Sequence, residues 1–75
     1  MIEQIRQSIT DQIAFEQLDV TGEGGRYEIN IVAEAFRDLN RVKQQQLVYA
    51  CIKHLISDGS VHAVTINAQL PSSAD

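Results

Sequence analysis

His62 is one of very few side chains in this chain that could bind a metal ion or move a proton near neutral pH, because the 75 residues include only two histidines and one cysteine. It opens the last apolar segment of the sequence. Read by itself, it has a plainer interpretation, a histidine that starts a strand and satisfies a nearby carbonyl group. The other histidine, His54, falls on the same stripe of a long helix as Lys43, away from the apolar face, which is typical of a solvated surface residue.

The single cysteine is predicted to be a core residue. Cys51 lies beside Val48 and Leu55 at the edge of the apolar face of the long helix, where a free cysteine behaves as a small hydrophobe. Since it has no partner within the chain, no disulfide framework exists, and a reducing compartment is the simplest interpretation.

Net charge and length exclude several classes of protein. A formal charge of −4 argues against avid, non-specific DNA binding. No segment reaches the roughly 20 apolar residues that cross a bilayer, and the N-terminus carries no signal sequence, so we expect a cytoplasmic protein without a membrane role.

The sequence contains no motif that is typical of an enzyme. The glycines at 22, 24 and 25 lack the Lys-Ser/Thr of a phosphate loop, and no catalytic triad is spaced along the chain. We therefore expect no enzyme.

A local basic patch remains open as a second kind of site. Arg41 and Lys43 open the long helix, where free backbone N–H groups favour anions, so they are candidate contacts for nucleic-acid phosphates. Two cations at the start of a helix are also the ordinary composition of a solvated surface.

The hydrophobic pattern predicts an α+β domain with the order α-β-β-α-α-β. Helical spacing predicts an N-terminal helix, and alternation predicts two strands, over 15–21 and from Tyr27 to Ile31, joined as an antiparallel hairpin by a turn at 22–25. Asn40 is the predicted N-cap of the long helix, which ends at Gly59. The last strand is predicted over 62–68.

A helical crossover between strands usually pairs them in parallel with a right-handed connection. The order therefore predicts a three-stranded mixed sheet with its helices packed on one face. The other face, with Glu28, Asn30, Thr65 and Asn67, is expected to be wet. Residues 1–71 form a single predicted domain, and 72–75 a flexible C-terminal tail.

The sequence resembles the BolA family from about Ile5 to Pro71. The residues that carry the resemblance are Gly22-Glu23-Gly24-Gly25 before Tyr27-Glu28, Ala35-Phe36, Leu39-Asn40-Arg41-Val42-Lys43, Leu47-Val48-Tyr49-Ala50 and Val61-His62-Ala63-Val64. The resemblance implies a fold like the type II KH domain. It also implies an adaptor in iron–sulfur cluster trafficking or iron homeostasis, which binds a monothiol glutaredoxin and shares a [2Fe–2S] cluster with it.

On the family pattern, His62 is the cluster ligand. A [2Fe–2S] cluster needs four ligands, so a chain with one cysteine inside a helix holds none alone, and the partner must supply thiolates. Many relatives place a second histidine or cysteine where this chain has Arg26, whose guanidinium has no lone pair for a metal. Arg26 is instead a candidate contact for an acidic partner or for glutathione, or an exposed turn residue.

The resemblance leaves an alternative function, a small KH-like transcriptional regulator that binds DNA in stress or morphology responses. The Gly-x-x-Gly loop by which KH domains clamp nucleic acid is absent, since Arg37-Asp38-Leu39-Asn40 precedes the long helix. A third hypothesis is a scaffold domain that docks a protein around Leu47. Alone, the chain is expected to be a monomer or a weak homodimer.

Overall fold

The computed structural model describes residues 1–71, which form an α+β domain. The elements in chain order are α1 (Ile2–Thr10), β1 (Gln17–Glu23), β2 (Arg26–Val32), a 3₁₀ turn (Glu34–Phe36), α2 (Arg41–Ser57) and β3 (Ala63–Gln69). This order confirms the predicted fold class, with the 3₁₀ turn in the place of the short second helix. None of the helices in this range is both long enough and apolar enough to cross a lipid bilayer. The predicted tail at 72–75 lies outside the described residues.

The three strands form one mixed sheet in the order β1-β2-β3. β1 and β2 pair as an antiparallel hairpin, whereas β2 and β3 are parallel, with a register that runs from Arg26 opposite Ala63 to Val32 opposite Gln69. α2 supplies the crossover between the two parallel strands, as such a connection requires. The predicted mixed sheet is therefore confirmed, and both β1 and β3 are edge strands.

One face of the sheet is covered and the other is open. The core combines buried sheet residues with the apolar sides of both helices and with the 3₁₀ turn; its largest fully buried side chains are Phe36, Ile5, Ile9, Ile29, Ile31, Ile52, Val48, Val61 and Cys51. Each such aliphatic or aromatic side chain contributes about 1.5–3 kcal/mol relative to exposure. On the open face the Asn67 amide donates to Asn30 Oδ1 at 2.9 Å and to Glu28 Oε2 at 3.2 Å.

The hairpin turn is tighter than the sequence pattern predicts. β1 runs over 17–23 and not 15–21, so that only Gly24 and Gly25 form the turn, with φ of 63° and 83°. Positive φ at both positions is the requirement of a two-residue type I′ turn, which glycine meets most easily. Gly22 belongs to the strand, where it pairs with Tyr27. A side chain does not fit there, because its Cβ would collide with the Arg26 carbonyl oxygen and lie 2.7 Å from the Cα of Tyr27.

α2 begins as predicted. The Asn40 side chain accepts a hydrogen bond from the Lys43 backbone N–H at 2.8 Å, which confirms the N-cap. Leu47, the centre of the hypothetical docking surface, is not an exposed residue, because its side chain is half-buried and packs against the core. β3 begins at Ala63, one residue later than predicted, so His62 lies just before the strand.

Candidate functional site

His62 is held where the hairpin turn meets the start of β3. Its backbone N–H donates to the Gly25 carbonyl oxygen at 2.7 Å, and the N–H of Ala63 donates to the same oxygen at 3.1 Å. The side chain itself is exposed. The main chain therefore fixes the position of His62, and the imidazole stays available to a second molecule.

Gly25 also contacts the imidazole ring of His62. A Cβ atom at this position would collide with Cδ2 of His62 and would lie 3.2 Å from its Cγ. Only a residue without a side chain lets the ring sit this close to the turn. Sequence reasoning identified Gly25 as a turn residue but not as a contact of His62, because the pattern of one strand carries no information about its neighbour across the sheet.

Arg26 lies next to this junction as the first residue of β2. It is exposed, and it stands opposite Glu23 on one side and opposite Ala63 on the other. The fold thus brings the hairpin position of Arg26 within one residue of the strand position of His62. Two segments about 36 residues apart in the sequence meet here, as a site built on both would require.

Neither the cysteine nor the carboxylates complete a metal site around His62. Within residues 1–71 no group of three or more His, Cys, Asp or Glu side chains is placed to hold a metal ion. Cys51 is buried, as predicted, and its thiol donates to the Leu47 carbonyl oxygen at 3.4 Å. Burial raises the pKa of the Cys51 thiol, which keeps it in the neutral form that binds metals poorly.

Arg41 and Lys43 are both exposed in the first turn of α2. Their side chains are free to meet an anion, but the backbone N–H of Lys43 already bonds to the Asn40 cap. One of the donors that an anion would use at a helix N-terminus is thereby occupied. His54 is exposed on α2 as predicted, with Nε2 at 3.5 Å from Ser8 Oγ.

A groove between α2 and β3 was not anticipated from the sequence. It is a shallow cavity of about 300 Å³ lined by Val42, Gln45, Gln46, Tyr49, Val64 and Ile66. The signal that could have revealed it is the spacing of Val42 and Tyr49, seven residues apart on one side of α2. Both residues belong to the segments that carry the family resemblance, but no local pattern marks them as a surface, and their side chains are 62% and 41% exposed.

Two helices and a 3₁₀ turn packed with a three-stranded mixed sheet define the class of protein, and comparison with known proteins agrees with this fold. The family profile described as BolA-like protein matches residues 3–73. The chain belongs to the BolA-like family. It is 32% identical over 69 residues to the acid stress protein IbaG of Escherichia coli strain K12, covering 92% of this chain and 82% of that protein.

Solved structures of the same fold come from distant relatives. BolA1 from Arabidopsis thaliana superposes with a TM-score of 0.86 at 21% identity, over 99% of this chain and 95% of that one. The BolA domain of SufE1 from the same plant gives a TM-score of 0.83 at 22% identity, over 95% and 92%. These likenesses establish the architecture.

The contact between Gly25 and His62 can be tested by comparing two adjacent glycines. Gly24→Ala and Gly25→Ala both place a side chain at positive φ, which costs about 1–2 kcal/mol in each case. Only Gly25→Ala also pushes the His62 ring aside, since nothing lies within 4 Å of a Cβ at Gly24. We expect the NMR signals of the His62 ring to shift in Gly25→Ala and to stay in place in Gly24→Ala. Equal shifts in the two variants would contradict the contact.

Proposed function

We propose that this protein is a cytoplasmic BolA-like adaptor of iron–sulfur cluster trafficking or iron homeostasis. It binds a monothiol glutaredoxin and contributes His62 as a ligand to a shared [2Fe–2S] cluster. The observation that carries the proposal is the exposed imidazole of His62, held by main-chain bonds to Gly25 at the surface of a BolA-like domain. The protein acts by presenting a ligand and not by catalysis.

The donor set of this chain supports a shared cluster and not a resident one. His62 offers an imidazole nitrogen, and histidine is an established cluster ligand. The remaining ligands must come from outside, because the described residues assemble no other metal-binding group and Cys51 is buried. A thiol-bearing partner such as a glutaredoxin with glutathione supplies this missing chemistry. The cluster is therefore cargo passed between proteins.

Arg26 gives this adaptor a distinctive feature. Where many BolA-like proteins would offer a second ligand, this chain offers a cation that cannot bind a metal. We expect the guanidinium to contact a carboxylate of glutathione or of the partner, beside the cluster that His62 binds. With one ligand from this chain, the shared cluster should be released more readily, which suits a sensor or a transfer protein.

The acid-stress name of the Escherichia coli relative supports a role in stress responses. A regulator that binds DNA through Arg41 and Lys43 is the second candidate function. The exposure of both cations in the first turn of α2 favours it. The capped helix N-terminus and the missing Gly-x-x-Gly loop make it the weaker of the two.

The ligand role of His62 can be measured in a mixture of this protein with a monothiol glutaredoxin, iron, sulfide and glutathione. We expect a cluster absorption and circular dichroism spectrum that differs from that of the glutaredoxin alone. His62→Ala should lose this difference and shorten the cluster lifetime ~10-fold or more. The fold should survive, because the bond to Gly25 uses the backbone of His62. His54→Ala, which removes the other histidine, is the matched control. An unchanged spectrum in His62→Ala would contradict the assignment of His62 as a ligand.

The absence of a second ligand predicts a gain of function. In Arg26→His, an imidazole replaces the cation on an exposed strand end, and we expect the shared cluster to persist several-fold longer. Arg26→Gln removes the charge without adding a ligand and serves as the control. If both variants extend the lifetime equally, the charge of Arg26 and not the missing ligand sets the lability.

The nucleic-acid alternative predicts a salt-dependent affinity for duplex DNA. Replacing Arg41 and Lys43 together by glutamate should remove two phosphate contacts and reduce the slope of log affinity against log salt by about 1.8. Lys53→Glu, which changes a cation elsewhere on α2, is the control. If the salt slope is the same in the wild type and in the double variant, Arg41 and Lys43 do not contact DNA phosphates.

A further inference from the structure

We infer that the outer edge of β3, together with the groove beside it, binds an extended acidic peptide segment of another protein by strand addition. The β3 groove is the surface described above, which is lined by Val42, Gln45, Gln46, Tyr49, Val64 and Ile66. This binding mode needs neither iron nor glutaredoxin. Peptide binding can therefore be tested independently of the role of His62 in a cluster.

The hydrogen-bond pattern of β3 shows which backbone groups face outward. The Ala63 N–H donates to Gly25, and the Gln69 carbonyl accepts from Ala33, so these two residues bond toward β2. Because a parallel strand alternates its bonding sides with a period of two, the N–H and C=O groups of Val64, Ile66 and Ala68 point away from the sheet. Among residues 1–71 only the Gln45 amide reaches one of them, at 3.5 Å from the Ile66 oxygen.

β3 has less protection than edge strands normally have, since its one side-chain cap in the described part of the chain is the long contact from Gln45 to the Ile66 oxygen. Its seven residues, Ala-Val-Thr-Ile-Asn-Ala-Gln, include no charge and no proline. The opposite edge is different, because β1 carries Asp19 and Glu23, and Arg6 Nη1 donates to the Leu18 carbonyl at 2.8 Å. Proteins block exposed edges with charges, prolines or side-chain caps, since an open edge invites another strand. The β3 edge, neutral and with only the Gln45 contact among residues 1–71, is therefore better suited to strand addition than the β1 edge.

The groove gives the added strand a place for its side chains. Successive residues of a strand point to opposite faces, so every second side chain would turn toward α2. There it would meet Val42 and Tyr49, whose exposed apolar surfaces flank the half-buried Val64 and Ile66. Main-chain bonds to an edge and pockets for alternate side chains are the two components of peptide recognition by strand addition.

The charge around this surface selects an acidic peptide. The protein is acidic overall, with a net charge of −4. Yet the described residues that line the groove and its two extensions include no Asp or Glu. Arg41 lies at the end of the groove near Ala68 and Gln69, and His62 lies at the other end. An acidic residue at one end of the bound strand can pair with Arg41 without meeting a like charge.

The test uses the full chain and synthetic peptides in the absence of iron. Two octapeptides alternate Val and Thr and carry a Glu-Glu pair at either the N- or the C-terminus, so that both strand directions are sampled. A third and a fourth octapeptide carry Lys-Lys in place of Glu-Glu.

With one of the Glu peptides, amide hydrogen exchange of Val64, Ile66 and Ala68 should slow roughly tenfold or more. The Thr65 and Asn67 amides, which are already bonded to β2, should change little. The matching Lys peptide should bind about fivefold more weakly.

A pair of variants separates the groove from the rest of α2. Val42→Glu adds a negative charge to the groove and should weaken the Glu peptide roughly tenfold. It should not unfold the helix, because an acidic residue in the first turn is favourable there. Ala50→Glu makes the same charge change on an exposed position outside the groove and should bind as the wild type does.

Three results would overturn the inference. The first is that neither Glu peptide protects the three outward amides at millimolar concentration. The second is protection of the same amides in the protein alone that disappears on dilution, which would assign the β3 edge to a second copy of this chain. The third is protection by a single-stranded oligothymidine but not by peptide, which would assign the groove to nucleic acid.

Discussion

The carbonyl oxygen of Gly25 is the point on which the arrangement of this domain depends. It accepts the N–H groups of both His62 and Ala63, and it thereby joins the hairpin turn to the start of the last strand. The register of the parallel pair begins at this junction, with Arg26 opposite Ala63. The same bonds place His62 at the surface, so one acceptor both joins the two parallel strands at their start and positions the candidate ligand.

The core holds this junction in place from the other side. α2 buries Val48, Ile52 and Leu55 against the sheet, and Val61, directly before His62, is also fully buried. A chain of this size buries only about 60% of the surface that its unfolded form exposes, so it has little stability to spare. Placing the functional groups on exposed side chains, anchored by the backbone, lets them vary without disturbing the core.

The two edge strands of the sheet differ in charge and in how their backbone groups are covered. β1 is charged, and Arg6 of α1 caps one of its carbonyl groups. β3 is neutral, open and bordered by the exposed apolar side chains of α2. The histidine junction lies directly before the strand whose edge is open, so the two surfaces are adjacent.

Periodicity and local chemistry by themselves determined most of this architecture. Alternation in the strands, helical spacing of the isoleucines and the Asn40 cap act within a few residues, and each could be recognised without knowing the fold. The same holds for the burial of Cys51, which follows from its position on an apolar face. The family resemblance added the expectation for His62, which no local pattern contained.

Only the tertiary structure decided which residues meet across the sheet. Gly22 is a strand residue because it pairs with Tyr27 across the hairpin, and Leu47 is half-buried because the core extends past the face that spacing indicates. The contact of Gly25 with His62 and the groove between α2 and β3 likewise join segments far apart in the chain. Their physical origin is the register of β3 on β2, because alternation within a strand fixes which face it buries but not which residue of the partner strand it meets.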